Sequence, residues 1–172
     1  ATSMDIGTLL PRHARYRPDH LAVVFEDHRL TFRQFNARVN RVANALLAAG
    51  LAKGDKVATV LPNCLEQLEV YWAAAKTGLV VVPMSPLLQD LGLASLLDNS
   101  DTALVISTAA FASALDRVRG GLPAIRADRW VLTDAARPGF RGYRDLVADA
   151  PESEPPDAAL VARIPQLRPP SI

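Results

Sequence analysis

Cysteine is nearly missing from this chain: Cys64 is the only one among 172 residues. No disulfide can form within the chain, and no cysteine-based metal cluster can be built. That fits a reducing compartment, and a cytoplasmic location is expected. Histidine is scarce. His13, His20 and His28 are the three present, and none has a second candidate ligand four residues further on, so no metal site is expected. Excess charge of one sign is missing too: 19 basic residues face 18 acidic ones, for a net charge of +1. This excludes the electrostatic footprint of a nucleic-acid or acidic-membrane partner. Long apolar runs do not occur. The stretch Leu79 to Pro83 is far too short to span a bilayer, so no membrane span is expected. The N-terminus has no basic stretch followed by an apolar one, which argues against a signal peptide. Ala1-Thr2-Ser3 ahead of Met4 reads as a cloning remnant.

Motif chemistry is also sparse. The Gly-x-Gly-x-x-Gly of dinucleotide folds does not occur, and neither does a P-loop with its Lys and Ser/Thr. Gly120-Gly121, after a helical pattern ending near Arg119, reads as a helix stop. A serine nucleophile would need a strand-to-helix elbow that is missing, and Ser85 between Pro83 and Pro86 reads as a loop former. Cys64 opens a helix, where the dipole favours a thiolate. With no base identifiable beside it, a packed thiol is the simpler reading. Tyr71 and Trp72 lie on a helix taken to face the core. No residue of this chain is therefore assigned a catalytic, cofactor-binding or metal-binding role.

What is present is a regular alternation of elements in a chain that is 49% hydrophobic and 22% charged, an ordinary balance for a globular domain. Ile6, Leu9, Leu10 and His13 follow helical spacing, closed by Pro18. Leu21 to Phe25 and Arg29-Leu30 predict a hairpin turning at Glu26-Asp27-His28. Thr31 and Gln34 form a capping box. They open a helix with the apolar stripe Phe32, Phe35, Val39, Val42, Leu46 and Leu47, ended by Gly50. Lys56 to Leu61 predicts a buried strand. Asn63 and Glu66 suggest a second capping box for a helix through Leu65, Leu68, Tyr71, Trp72 and Ala75 to Gly78. Leu79 to Val82 predicts another buried strand ended by Pro83. A helix over 91–99, a strand over 103–106, a helix over 109–118, a strand over 129–132, a short helix over 142–148 and a last strand from Ala159 complete the pattern. Apolar strands separated by helices imply a parallel sheet covered on both faces. The expected fold class is α/β: a doubly wound, mostly parallel sheet flanked by helices, with an N-terminal hairpin.

Three ordered stretches carry a resemblance. Pro18-Asp19-His20-Leu21-Ala22-Val23-Val24 leads into Leu30-Thr31-Phe32-Arg33-Gln34-Phe35. Gly54-Asp55-Lys56-Val57-Ala58 precedes Leu61-Pro62-Asn63-Cys64-Leu65-Glu66. Ala73-Ala74-Ala75-Lys76-Thr77-Gly78 runs on through Val82-Pro83-Met84-Ser85-Pro86. In order and spacing this resembles the N-terminal region of the adenylate-forming superfamily, in its fatty-acid and other acyl-CoA synthetase branch. The resemblance implies a parent activity: ATP and Mg²⁺ activate a carboxylic acid to an acyl-adenylate, and the acyl group passes to coenzyme A. ATP, Mg²⁺ and CoA are thus cofactors of the parent family, and a fatty acid or other carboxylic acid its substrate. None is expected for this chain by itself.

The resemblance also divides the chain. Residues 4–150 correspond to an α/β N-terminal subdomain, 151–156 to an acidic, Pro-rich exposed linker, and 157–165 to the strand preceding the family's phosphate-binding loop. Where that loop should begin stand Gln166 to Ile172, a non-family tail. The first expectation is therefore an N-terminal ligase fragment that is inactive alone. The alternative is a stand-alone binding or regulatory module derived from the ligase fold, able to self-associate through exposed apolar surface. An unrelated nucleotide-binding α/β domain lacks every glycine-rich signature it would need.

Overall fold

The computed structural model describes residues 5–88, 90–135 and 137–156. The expected strand from Ala159, the tail after Pro165 and the first four residues lie outside them. Helix α1 (Ile6–Tyr16) is capped by Asp5, whose side chain accepts from the Thr8 amide. It packs so closely on a later helix that a Cβ on Gly7 would lie 2.4 Å from the Ala75 carbonyl oxygen. Strands β1 (Leu21–Phe25) and β2 (His28–Thr31) form the expected antiparallel hairpin, with Phe25 paired to His28.

Helix α2 (Phe32–Ala48) carries the expected capping box: Thr31 Oγ1 accepts from the Gln34 amide, and the Gln34 side chain accepts from the Thr31 amide. Gly50 follows the helix at φ 85°, the left-handed conformation that glycine enters most freely.

The main sheet is fully parallel. It joins β3 (Lys56–Val60), β4 (Val80–Pro83), β5 (Thr102–Ser107), β6 (Trp130–Leu132) and β7 (Arg141–Gly142) in the order β4-β3-β5-β6-β7. Helices α3 (Leu65–Thr77) and α6 (Tyr143–Val147) lie with α1, α2 and the hairpin against Val57, Leu104, Ile106 and Val131. Helices α4 (Asp90–Asn99) and α5 (Ala109–Arg119) lie on the opposite face, against Ala58, Val60, Val105, Trp130 and Leu132. The alternation of these residues along each strand follows from the two-residue period of side-chain direction. The doubly wound arrangement expected from the pattern is the one observed.

Three local expectations need correction, and one strand was not expected at all. The second capping box does not form: α3 starts one residue later than expected, with Cys64 as N-cap and no side-chain hydrogen bond to the cap. Strand β4 is not buried. It is an edge strand, with Val80 45% exposed. The Val80 and Met84 amides donate to the Asp55 and Thr59 carbonyls, so the backbone groups of Val81 and Pro83 point away from β3. Pro83 thus lacks its N–H on the unpaired side, the place where an edge strand tolerates proline. Tyr71 points outward, and the buried face of α3 is instead Leu65, Glu69, Val70, Ala73, Ala74, Lys76 and Thr77. Strand β7, two residues long, carried no pattern from which to expect it.

Candidate functional site

Helix α2 buries Phe35, Val39, Val42, Ala43 and Leu46. At about 100° per residue, this stripe has a polar flank on either side. Arg38 and Arg41 lie on one, and Asn36, Asn40 and Asn44 on the other. Helix α3 places an ionisable side chain against each flank.

On the first flank stands Glu69, whose side chain is 2% exposed. Arg38 Nε donates to Oε1 at 2.5 Å, and Tyr143 Oη donates to Oε2 at 2.8 Å. Burial pushes the Glu69 carboxyl above its usual range, against the opposing pull of Arg38 and Tyr143. Burial, then the charge of Glu69, pushes the Tyr143 hydroxyl well up. The phenol therefore stays protonated and remains a donor. This group floors a cleft of ≈ 520 Å³, walled by Phe25, Glu26 and His28 of the hairpin, Arg41, Val42 and Glu66 of the helices, and Arg144. Leu65 and Tyr143, the first residues of the helices that follow β3 and β7, line it, and the rest of its lining belongs to α2, α3, α6 and the hairpin on one face of the sheet. In open α/β sheets ligands bind outside the carboxyl ends of the strands, nearest the point where strand order reverses. Here that point lies between β3 and β5. Its rim is tied internally: Ser107 Oγ donates to the Val60 carbonyl at 3.0 Å, and the Ala109 amide donates to Asp134 Oδ1 at 2.8 Å.

On the second flank stands Lys76, its side chain also 2% exposed. Its Nζ donates to Asn36 Oδ1 at 2.6 Å, Asn40 Oδ1 at 2.7 Å and Glu154 Oε2 at 2.6 Å. An ammonium has three N–H groups, and each has an acceptor. Both asparagines also donate to Glu154 Oε1. Burial lowers the Lys76 pKa, offset in part by Glu154. Burial acts to raise the Glu154 carboxyl, but hydrogen bonds from Lys76, Asn36 and Asn40 outweigh it and leave the carboxyl below its usual range.

The residues weighed from the sequence lie elsewhere. Cys64 is half-buried, and burial pushes its thiol up, away from the thiolate form. The His13 ring stacks on Phe32 at 5.0 Å, and His28 lines the cleft beside the hairpin turn. Ser85 Oγ accepts from the Leu87 amide, as a loop former does. Among the described residues no group of three His, Cys, Asp or Glu is placed to hold a metal, and no helix is long and apolar enough to cross a membrane. The two buried polar groups were missed, although they left signals. Asparagine is a poor helix former, yet it recurs every fourth residue at Asn36, Asn40 and Asn44. Glu69 and Lys76 sit seven residues apart in a largely apolar helix, and so on one face.

A doubly wound parallel sheet with helices on both faces and no glycine-rich loop defines an open α/β domain. Comparison with known proteins narrows the class. The chain belongs to the AMP-binding enzyme family, whose model matches residues 10–162. It is 34% identical over 153 residues to the long-chain-fatty-acid–CoA ligase FadD13 of Mycobacterium tuberculosis, covering 87% of this chain and 30% of that protein. It is 33% identical over 111 residues to the fatty acid–[acyl-carrier-protein] ligase ScoC of Streptomyces coeruleorubidus, covering 64% of this chain and 21% of that protein. Among solved structures, a fatty acyl CoA synthetase of M. tuberculosis superposes with a TM-score of 0.72 at 33% identity, over 89% of this chain and 30% of that one. The anthranilate CoA ligase AuaEII shares the fold, with a TM-score of 0.80 at 22% identity. The chain thus spans 30% or less of the length of these two curated ligases and corresponds to their N-terminal part.

Proposed function

We propose that this chain is the N-terminal scaffold of an AMP-forming ligase whose whole activates a fatty acid with ATP and Mg²⁺ and passes the acyl group to coenzyme A. We further propose that this chain alone does not perform this reaction. The supporting observation is the family match over 10–162 at 34% identity to a long-chain-fatty-acid–CoA ligase, set against coverage of 30% of that protein. The physical requirement points the same way. Activation needs a clamp on the triphosphate and donors for charge developing at the α-phosphate. The two buried polar groups, Glu69 with Arg38 and Tyr143, and Lys76 with Asn36, Asn40 and Glu154, are instead occupied by these partners. A cytoplasmic setting, where ATP and CoA are found, belongs to this reading.

The test is ATP–pyrophosphate exchange with and without long-chain fatty acids. The expected outcome is no acyl-dependent exchange and no ATP binding tighter than millimolar. Robust exchange by this chain would sink the reading. A second reading, self-association, is favoured by Leu87, just before α4, and Leu91, in its first turn, which are 90% and 89% exposed. Apolar surface of this kind favours contact with a partner or a second copy. Light scattering across a hundredfold range of concentration decides it: a constant monomer mass removes the second reading.

A further inference from the structure

We propose that Lys76 is a positioning residue: it latches residues 147–156 across the outer face of α2 and so fixes, at Pro156, the point from which the chain continues. The path is written in hydrogen bonds. Arg41 on one flank of α2 donates to the Val147 and Ala148 carbonyls, at 3.3 and 2.7 Å. Asn44 on the other flank donates to the Pro151 and Ser153 carbonyls, both at 2.9 Å. Asn40 donates to the Glu152 carbonyl at 2.9 Å. The segment crosses the helix like a strap, with its carbonyls taken by side chains in place of a strand or helix partner.

Apolar burial does not explain why the strap stays down. Val147 and Ala150 pack against the core, but 151–154 are all exposed and 155 is only half-buried. Beyond Ala150 the strap is held by polar contacts, and Lys76 is their hub. An ammonium taken out of water is costly unless each N–H finds an acceptor. Two of the three acceptors here, Asn36 and Asn40, belong to α2. The third, Glu154, reaches Lys76 only when the strap lies across the helix. Lifting the strap leaves the buried ammonium one acceptor short and Glu154 without its cation. Release is therefore penalised at both ends. Pro151, Pro155 and Pro156 restrict the free strap, which lowers the entropy lost on docking.

A residue that merely stabilised the domain would act on all of it. A latch acts locally, because the strap contributes little to the core and can open while the sheet stays folded. Backbone ¹⁵N relaxation on this chain separates the two. Rigid backbone has an order parameter of about 0.85 and flexible backbone falls below about 0.6. In the native chain the amides of Glu152, Ser153 and Glu154 are expected near the rigid value. In Lys76→Met, which keeps the volume and removes the charge, they should fall to the flexible range while those of α2 and α3 hold. Glu154→Gln lies on the solvent side and does not disturb the core, so it remains informative if Lys76→Met fails to fold. It should loosen the same three amides. Adding it to Lys76→Met should produce no further loss, as for two partners of one interaction. Cleavage after Glu152 by a glutamate-specific protease should be at least about tenfold faster in either variant, since a freed exposed segment is readily nicked. Three results would overturn the latch: a strap already flexible in the native chain, a strap still rigid in both variants, or equal loosening of α2 and the strap. These measurements use neither ATP nor acyl substrate. The latch does not rest on the ligase reading, so a failed latch and a failed ligase assignment show up in different experiments.

Discussion

Helix α3 carries two buried charges of opposite sign, and they are satisfied in different ways. Glu69 is held by groups from two elements, and one of these partners, Tyr143, is itself buried. Lys76 is held by two asparagines of the adjoining helix and by a carboxylate that is 47% exposed. The first arrangement locks secondary-structure elements together beneath a cleft. The second ties down an irregular segment that has almost no apolar surface of its own. The difference teaches that a buried charge matters through what its removal leaves behind. Loss of Glu69 strands a buried phenol. Loss of Lys76 leaves Glu154, a half-exposed carboxylate that can turn to water.

The largest effect should therefore come from Glu69→Ala. It leaves the Tyr143 hydroxyl buried without its acceptor and opens a small cavity, costing about 2–3 kcal/mol in urea unfolding. A loss below about 1 kcal/mol would mean that Tyr143 finds another acceptor and that the two nodes are equivalent. Lys76→Met comes next, at about 1–2 kcal/mol, since methionine refills most of the volume. A loss as large as that of Glu69→Ala would break the comparison from the other side.

The pH dependence should separate the nodes by sign. The Glu69 pKa is raised in the folded protein. Its favourable contribution is complete below the unfolded value and is lost as pH rises through the folded one. The Glu154 pKa is lowered. Its contribution is present above the unfolded value and is lost as pH falls through the folded one. On acidification from neutrality, Glu69→Gln should lose stability more steeply than the native chain, and Glu154→Gln less steeply, as read from urea midpoints across the acid range. The same slope in both variants would refute the opposed signs. The smallest effect is expected for Asn44→Ala. It removes two neutral hydrogen bonds from an exposed strap, costing about 0.5–1 kcal/mol, and should leave the Glu69 cleft untouched. A shift in the Tyr143 environment, read by its NMR signals, would show that strap and cleft are coupled.

Much of the fold was legible in the chain. The capping box at Thr31 and Gln34, the glycines after α2 and α3, and the apolar strands between helices mark their elements through local rules, because caps and left-handed turns depend on a few adjacent residues. The misreadings share a different cause. Leu79 to Val82 has the composition of a central strand, but its place at the sheet edge depends on how distant segments pair. Tyr71 looks like core, but the register of α3 turns it outward so that Glu69 and Lys76 face in. Asn63 and Glu66 have the spacing of a capping box, but the backbone enters the helix one residue later, at Cys64. The candidate site was hardly legible at all. Its partners are 31 residues apart for Arg38 and Glu69, and 78 apart for Lys76 and Glu154.

The sequence by itself determined the family, the alternation of helices and strands, and the two-sided covering of the sheet, because these follow from local periodicity and from ordered motifs along the chain. Only the tertiary structure decided that the polar residues of α2 and α3 form two closed groups, and that residues 151–156 lie as a strap across α2. A hydrogen bond is satisfied by proximity in space, and which distant acceptor reaches Lys76 or Glu69 is set by packing that no local pattern encodes.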